Sequence, residues 1–169
     1  DIVLVASNYK ERFKAVKSIV DPLVKAEYDL MVWGNWWQDP TQPYQLPEKY
    51  FAGCLPYNRL ADVYSSAKIV LGLHLVNNSK TQTSMRTYEV LGCGAFYLTQ
   101  YTIAHENLFN NKEHLVWSKS AEETIELVNY YLSHDRERKK IAYNGQCKVY
   151  NNHTYFNRAK KVIEILKSL

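Results

Sequence analysis

No run of apolar residues in this 169-residue chain approaches the ~18 needed for a membrane-crossing helix, and no charged-then-apolar leader opens it. The expectation is a chain with no membrane span, cytoplasmic by default. Cysteine is scarce: Cys54, Cys93 and Cys147 are odd in number, stand in unrelated contexts and form no CxxC pair. That argues against a disulfide framework or structural zinc and for a reducing compartment. Also missing are a GxGxxG after the first apolar run, a GxxxxGK[ST] and an HExxH. Their absence speaks against an NAD-type fingerprint, a P-loop and a paired-histidine metal site. Basic residues exceed acidic ones by only 21 to 17, a net +4. Their densest stretch, Arg136 to Lys140, is interrupted by Glu137 and reads as a solvated helix face rather than a nucleic-acid stripe. The same surplus is compatible with a small phosphate-bearing ligand.

What is present is a foldable chain. Fourteen Tyr, 4 Trp and 5 Phe disfavour disorder. The length fits one domain over residues 1–169, able to bury roughly 70% of its extended surface without a staple. Short apolar runs recur at Ile2 to Ala6, Leu30 to Trp33, Phe51 to Leu55, Ile69 to Leu75, Ala95 to Thr99 and His114 to Trp117. Most are continuous rather than alternating, as strands covered on both faces are, which predicts a parallel sheet of about six strands. Between them lie helical patterns over Asn8 to Val20, Pro56 to Ala67 and Gln82 to Gly92, with Asp21-Pro22 opening a further short turn. After the last strand the pattern is wholly helical. Ser120 and Glu123 form a capping box, a helix runs from about Asp135 to Tyr150, and a last one follows Thr154 with Phe156, Ala159, Val162, Ile163 and Leu166 as its apolar stripe. Strand–helix alternation followed by helices predicts an α/β fold with a single doubly wound parallel sheet and C-terminal helices.

In such sheets the ligand crevice lies beyond the carboxyl ends of the strands, where helix N-termini present free N–H groups. Ser7, Asn8, Tyr9, Lys10 and Arg12 follow the first strand, Leu55 and Tyr57 the Phe51 run, and His74 the Ile69 run. Asn77 to Ser84 is almost entirely small and polar and opens a helix, which suits a phosphate. Glu89 stands mid-helix among apolar neighbours. It is placed either to accept hydrogen bonds from a ribose diol or to pair with Arg86 three residues earlier. The proline-broken stretch Gly34 to Lys49 carries Trp36-Trp37 and Tyr44, either to stack on a sugar or partner or to plug the sheet edge. Cys93, between two glycines, reads as a packing residue, His105 and His134 as surface loop residues, and His153 as structural.

The run Ser84-Met85-Arg86-Thr87-Tyr88-Glu89-Val90-Leu91-Gly92-Cys93-Gly94-Ala95-Phe96 resembles the donor-site helix of GT-B glycosyltransferases. More closely it is similar to spore-maturation proteins of the CgeB/YkvP type. Phe51-Ala52-Gly53 to Leu60, Ala67 to His74, Leu108-Phe109 with Glu113 to Val116, and His153-Thr154-Tyr155 with Arg158 extend the likeness over essentially the whole chain. The resemblance implies a Rossmann-like nucleotide-sugar donor domain. It puts Glu89 on the ribose hydroxyls, the amides around Ser84 and Met85 on the diphosphate, and Leu55 and Tyr57 against the base. Arg12, with Lys10 and Lys14 as stand-ins, would reach the phosphates from beside Ser7, and His74 and Arg86 would face the same crevice. Thr81 occupies the position where many retaining relatives carry a second glutamate, so the sugar and the stereochemical course are left open. No DxD-like motif stands near a strand end, which implies metal independence, with no cofactor besides the nucleotide-sugar substrate.

A GT-B enzyme closes its site between two Rossmann-like domains, so the resemblance implies an acceptor-side N-terminal domain beyond these residues. It further implies nucleotide binding without turnover by this chain alone, and self-association through the last helix. The competing expectations are a non-catalytic carbohydrate- or partner-binding module using Trp36, Trp37 and Tyr44, and half of a nucleotide-sugar epimerase.

Overall fold

A computed structural model describes residues 1–168. Five strands form one sheet: β1 (Ile2–Val5), β2 (Leu30–Trp33), β3 (Ile69–Gly72), β4 (Tyr97–Gln100) and β5 (Val116–Ser118). Their order is β2-β1-β3-β4-β5 and every pairing is parallel, with Val3 opposite both Met31 and Val70, and Leu98 opposite Val116. The helices are α1 (Phe13–Ile19), α2 (Asp21–Lys25), α3 (Leu60–Ser66), α4 (Met85–Gly92), α5 (Ile103–Leu108), α6 (Ala121–Ser133), α7 (Asp135–Asn152) and α8 (Tyr155–Lys167). The doubly wound α/β architecture expected from the apolar runs is present. No described helix is long and apolar enough to cross a membrane.

The expected sixth strand is reduced to one bridge. Phe51 pairs in parallel with Val32 at the outer edge of β2, helped by Ala52 N–H donating to Val32 O at 2.9 Å. The segment cannot lengthen because a 3-10 turn, Glu48–Tyr50, ends directly before it and Gly53 leaves the strand region at φ 82°. Counting that bridge, the edge-to-edge order becomes that of a six-strand dinucleotide-type sheet with its crevice between β1 and β3.

Alternation along the strands divides the core in two. Ile2, Leu4, Ile69, Leu71 and Leu98 face α1, α2 and α6, through Val16, Ile19, Leu23 and Val128. Val3, Val5, Val70 and Tyr97 face the opposite way, against Leu60, Tyr64, Val90 and Leu91 of α3 and α4. Each fully buried Leu or Ile contributes roughly 1.5–3 kcal/mol, so neither face could be left to water. Helix α7 reaches both layers: Ile141 and Ala142 belong to the first cluster and Val149 to the second.

Several helices begin later than their apolar patterns predict. The Asn8 stretch opens with a 3-10 turn at Lys10–Arg12 before α1, and the Pro56 stretch with one at Tyr57–Arg59 before α3. Helix α4 starts at Met85 rather than Gln82. Ser79 Oγ accepts from the amides of Thr81 and Gln82, at 3.3 and 3.1 Å, and holds them in a turn. At α6 the Ser120 hydroxyl accepts from Glu123 N–H as expected. The Glu123 carboxylate, however, closes on the amide of Lys119, not on that of Ser120.

The stretch Gly34 to Lys49 plugs the sheet edge. Trp37 is 0% exposed, donates its indole N–H to Ala6 O at 2.6 Å and packs edge-on against Tyr44. Asn8 ties the stretch down through Nδ2 to Tyr44 O at 2.9 Å. Trp36 is left 43% exposed, tilted against Tyr9. The tryptophan pair is therefore split, and Trp37 is not available to stack on a ligand.

Gly145 lets α7 meet the loop before β5, since a Cβ there would lie 2.2 Å from His114 O. Backbone cannot give way as a side chain can. The Gly145→Ala variant should therefore lose about 1–3 kcal/mol of stability, read as a lower urea midpoint with an unchanged slope.

Candidate functional site

The carboxyl ends of β1, β3 and β4 open at one edge, beside the N-termini of α1 and α4. A cavity of about 610 Å³ runs from that edge down the outer side of α4. Its near wall is Thr83, Met85, Tyr88, Glu89 and Gly92, and its far walls are Tyr57 in the turn before α3 and the α7–α8 junction. Three predicted site residues, Tyr57, Met85 and Glu89, are thus brought together around one space. The wider wall is strongly aromatic, with Tyr150, His153 and Tyr155 joining Tyr57 and Tyr88. An apolar trough with a single carboxylate on its wall suits a flat ring system carrying hydroxyls.

Of the other predicted residues, Arg12, Ser84 and Arg86 do not line this trough, and the guanidinium on its wall is that of Arg158. Arg12 donates through Nη1 to Ser7 O at 3.0 Å and stacks over the Tyr9 ring, while its Nε is buried with no hydrogen-bond partner. Burial lowers its pKa most, and next the nearby charge of Arg86. Arg86 reaches Tyr64 OH at 3.4 Å. Among the described residues neither guanidinium forms an ion pair, and Glu89 does not pair with Arg86. Two like charges drawn together without a counter-ion are an arrangement that an anion would relieve.

Helix α4 carries Arg86 and Glu89. Ser84 caps it, its Oγ accepting from Arg86 N–H at 3.3 Å, so this hydroxyl is committed to the helix. Met85 at the first turn is 61% exposed, which leaves the positive end of the helix open. Behind α4 lies a buried polar bridge. His105 is 0% exposed, with Nε2 3.0 Å from Thr87 Oγ1 and Nδ1 3.1 Å from Thr102 Oγ1. This overturns the surface reading of His105. Thr102, three residues earlier, is the N-cap of α5 and accepts from the His105 N–H at 3.1 Å.

His74 is also withdrawn from the crevice. It is buried beside Thr99, Nε2 to Oγ1 at 3.0 Å, with its ring edge-on to His105 at 4.5 Å. Burial, then the charges of His105 and Arg12, pushes its pKa down to about 3. It is a neutral support and cannot contribute charge to a phosphate. Leu55 packs into the second core cluster and does not line the cavity, while Ser7 is half-buried and offers its carbonyl to Arg12. Cys93 is half-buried with its thiol pKa raised, first by burial and then by Glu89, in keeping with a packing role. His134 is exposed and stacked on Tyr130, and His153 packs against Tyr88 and Phe109. Among the described residues no three His, Cys, Asp or Glu gather as a metal site.

The wall residues from the last two helices were missed in the sequence. Thr154 caps α8 in a reciprocal box with Asn157 and so turns the chain back toward α4. Arg158 then lies over the Tyr88 ring at 4.8 Å. Those residues are remote in sequence from Glu89, so only the fold joins them to it.

Residues 12–164 match the model of the family described as "Glycosyl transferase-like". No curated protein sequence matches the chain. Among solved structures it is similar to a mutant of T4 phage BGT in complex with UDP-glucose, at 20% identity and a TM-score of 0.70 over 95% of this chain and 44% of that one. It is also similar to sucrose-phosphate synthase from Thermosynechococcus elongatus, at 17% identity and 0.75 over 99% and 45%. A third is the C-terminal domain of the glycosyl transferase group 1 family protein LpcC from Francisella tularensis, at 13% identity and 0.58 over 91% and 86%. The chain spans less than half the length of the first two.

The two buried imidazoles carry a pH dependence. The folded state holds His74 down to about 3 and His105, through burial, down to about 4, whereas the unfolded chain takes up these protons near the ordinary 6.5. Stability is therefore fully present above about pH 6.5 and declines as pH falls toward the folded values. The His105→Gln and His74→Gln variants should each show a flatter decline over that window when denaturation midpoints are compared with the parent chain.

Proposed function

The chain belongs to the glycosyl transferase-like family, and from that premise we propose that it is the donor-binding half of a GT-B glycosyltransferase, taking a UDP- or dTDP-type sugar. The observation that carries the reading is Glu89 on the wall of the aromatic trough, about one turn inside the open start of α4. On this reading the base packs against Tyr57, with Leu55 behind it. Glu89 accepts from both ribose hydroxyls, and the diphosphate sits at the first turn of α4 near Ser84 and Met85. Arg12 and Arg86 supply positive charge to it. The solved complex of T4 phage BGT with UDP-glucose supports a uridine donor.

The chemistry follows from that placement. An acceptor hydroxyl oxygen bonds to the anomeric carbon as the bond from that carbon to the diphosphate oxygen breaks, and the nucleoside diphosphate leaves with the electron pair. Charge grows on the leaving oxygens, so Arg12, Arg86 and the α4 amides lower the barrier by being fixed there beforehand. Catalysis in this picture needs no metal. The acceptor is held by a second domain, which the uncovered apolar side of α8, with Phe156, Val162, Ile163 and Leu166 all more than half exposed, supports. That same side is the route to self-association of the chain alone, which binds nucleotide without turnover. The run Arg86 to Phe96 supports the narrower assignment to CgeB/YkvP-type proteins, and with it a cytoplasmic, spore-associated setting.

Isothermal calorimetry with UDP, dTDP and GDP tests the reading. At least one should bind, and Glu89→Ala should weaken it about tenfold or more by removing the acceptor of two hydrogen bonds. Arg12→Ala should weaken the diphosphates but leave the free nucleoside unchanged. Failure of all three nucleotides to bind would remove the proposal.

A further inference from the structure

A second cavity at the same sheet edge has no part in the site above. It holds about 300 Å³ and shares no residue with the Glu89 trough. Its floor is Gln100 and Ser118, the paired last residues of β4 and β5, and its sides are Lys14 and Ser18 of α1, Asn77 and Lys119. The frame is held by hydrogen bonds on every side. Tyr101 N–H donates to Ser118 O at 2.8 Å, Ile103 N–H to Asn77 O at 3.0 Å, and the Thr124 hydroxyl lies 2.8 Å from Ser18 O.

The charge in this cavity has one sign. Among the described residues no carboxylate lines it and neither Lys14 nor Lys119 forms an ion pair. Glu123, the acid nearest in the chain, turns its carboxylate to the Lys119 backbone amide at 2.7 Å. The Lys119 ammonium is held instead over the Tyr101 ring, 4.5 Å from its centroid, and that ring is fixed by its hydroxyl donating to Glu106 at 2.7 Å. Gln100 accepts from His74 N–H through Oε1, leaving its amide nitrogen as a donor. Two cations and two amides around a space at the lower end of ligand-pocket volumes match a small polyol carrying a negative group.

We propose that this cavity binds an anionic monosaccharide, a sugar phosphate or a sugar acid, with Lys14 and Lys119 on the anion and Asn77 and Gln100 on the hydroxyls. The two spaces have no lining residue in common, and Lys14 and Asn77, which the sequence offered toward the donor phosphates, line this one instead.

The test is a titration of the ¹⁵N-labelled chain, followed by amide NMR, with glucose 6-phosphate, glucuronate and glucose as separate probes. At least one charged probe should saturably shift the Gln100 and Lys119 amides while glucose does not, and which one does so distinguishes phosphate from carboxylate. The Lys14→Ala/Lys119→Ala double variant should bind that probe about tenfold more weakly, and the paired Lys→Arg variant should restore binding. Saturating UDP and Glu89→Ala should leave it unchanged. The proposal is overturned if neither charged probe shifts those amides, if glucose matches them, if the double variant binds as well as the parent, or if UDP displaces the probe. A UDP titration of the same sample reports on the Glu89 trough separately, so either site can fail without the other.

Discussion

Parallel strands cannot be joined by tight turns, and that constraint shapes every feature of this molecule. Each strand must be followed by a crossover that covers a face of the sheet, so all five carboxyl ends emerge at one edge. The loops at that edge are freed from sheet hydrogen bonding, while the helices that follow them point their positive ends back at it. The trough beside α4 and the lysine-lined cavity between α1 and β5 are both products of this arrangement.

The precision of the edge comes from polar groups that are not at the edge. Thr87, His105 and Thr102 form a buried bridge that ties α4 to the start of α5. His74 and Thr99 extend it under β3 and β4. These imidazoles stay neutral, which lets them be buried without a counter-ion. Arg12 and Arg86, by contrast, are close enough to feel each other's charge and, among the described residues, pair with no carboxylate. The buried charges Asp21 and Arg138 are instead ion-paired, to Lys17 and Lys25 and to Asp135.

Much of this was legible in the chain. Continuous Val, Ile and Leu runs announced strands covered on both faces, and the helical tail after Ser120 was plain from its spacing. Glu89, Tyr57 and Met85, named as candidates from the sequence, line one cavity. His74 and His105 were misplaced for the same reason: a lone histidine has no periodic partner, so its burial depends on Thr99 and Thr87 arriving from other elements. Phe51 to Leu55 had the composition of a strand. Gly53 and the preceding 3-10 turn left room for a single bridge.

The sequence by itself determined the alternation of strands and helices, because apolar spacing along a chain is a local property that any fold must satisfy. Where α4 begins was not part of this: the apolar pattern ran from Gln82, and the cap at Ser84 starts the helix at Met85. The aromatic far wall of the trough, the separation of Trp36 from Trp37 and the union of Lys14 with Lys119 were decided only by the tertiary structure. Each joins residues far apart along the backbone, and what brings them together is the burial of both sheet faces, which no short stretch of chain contains.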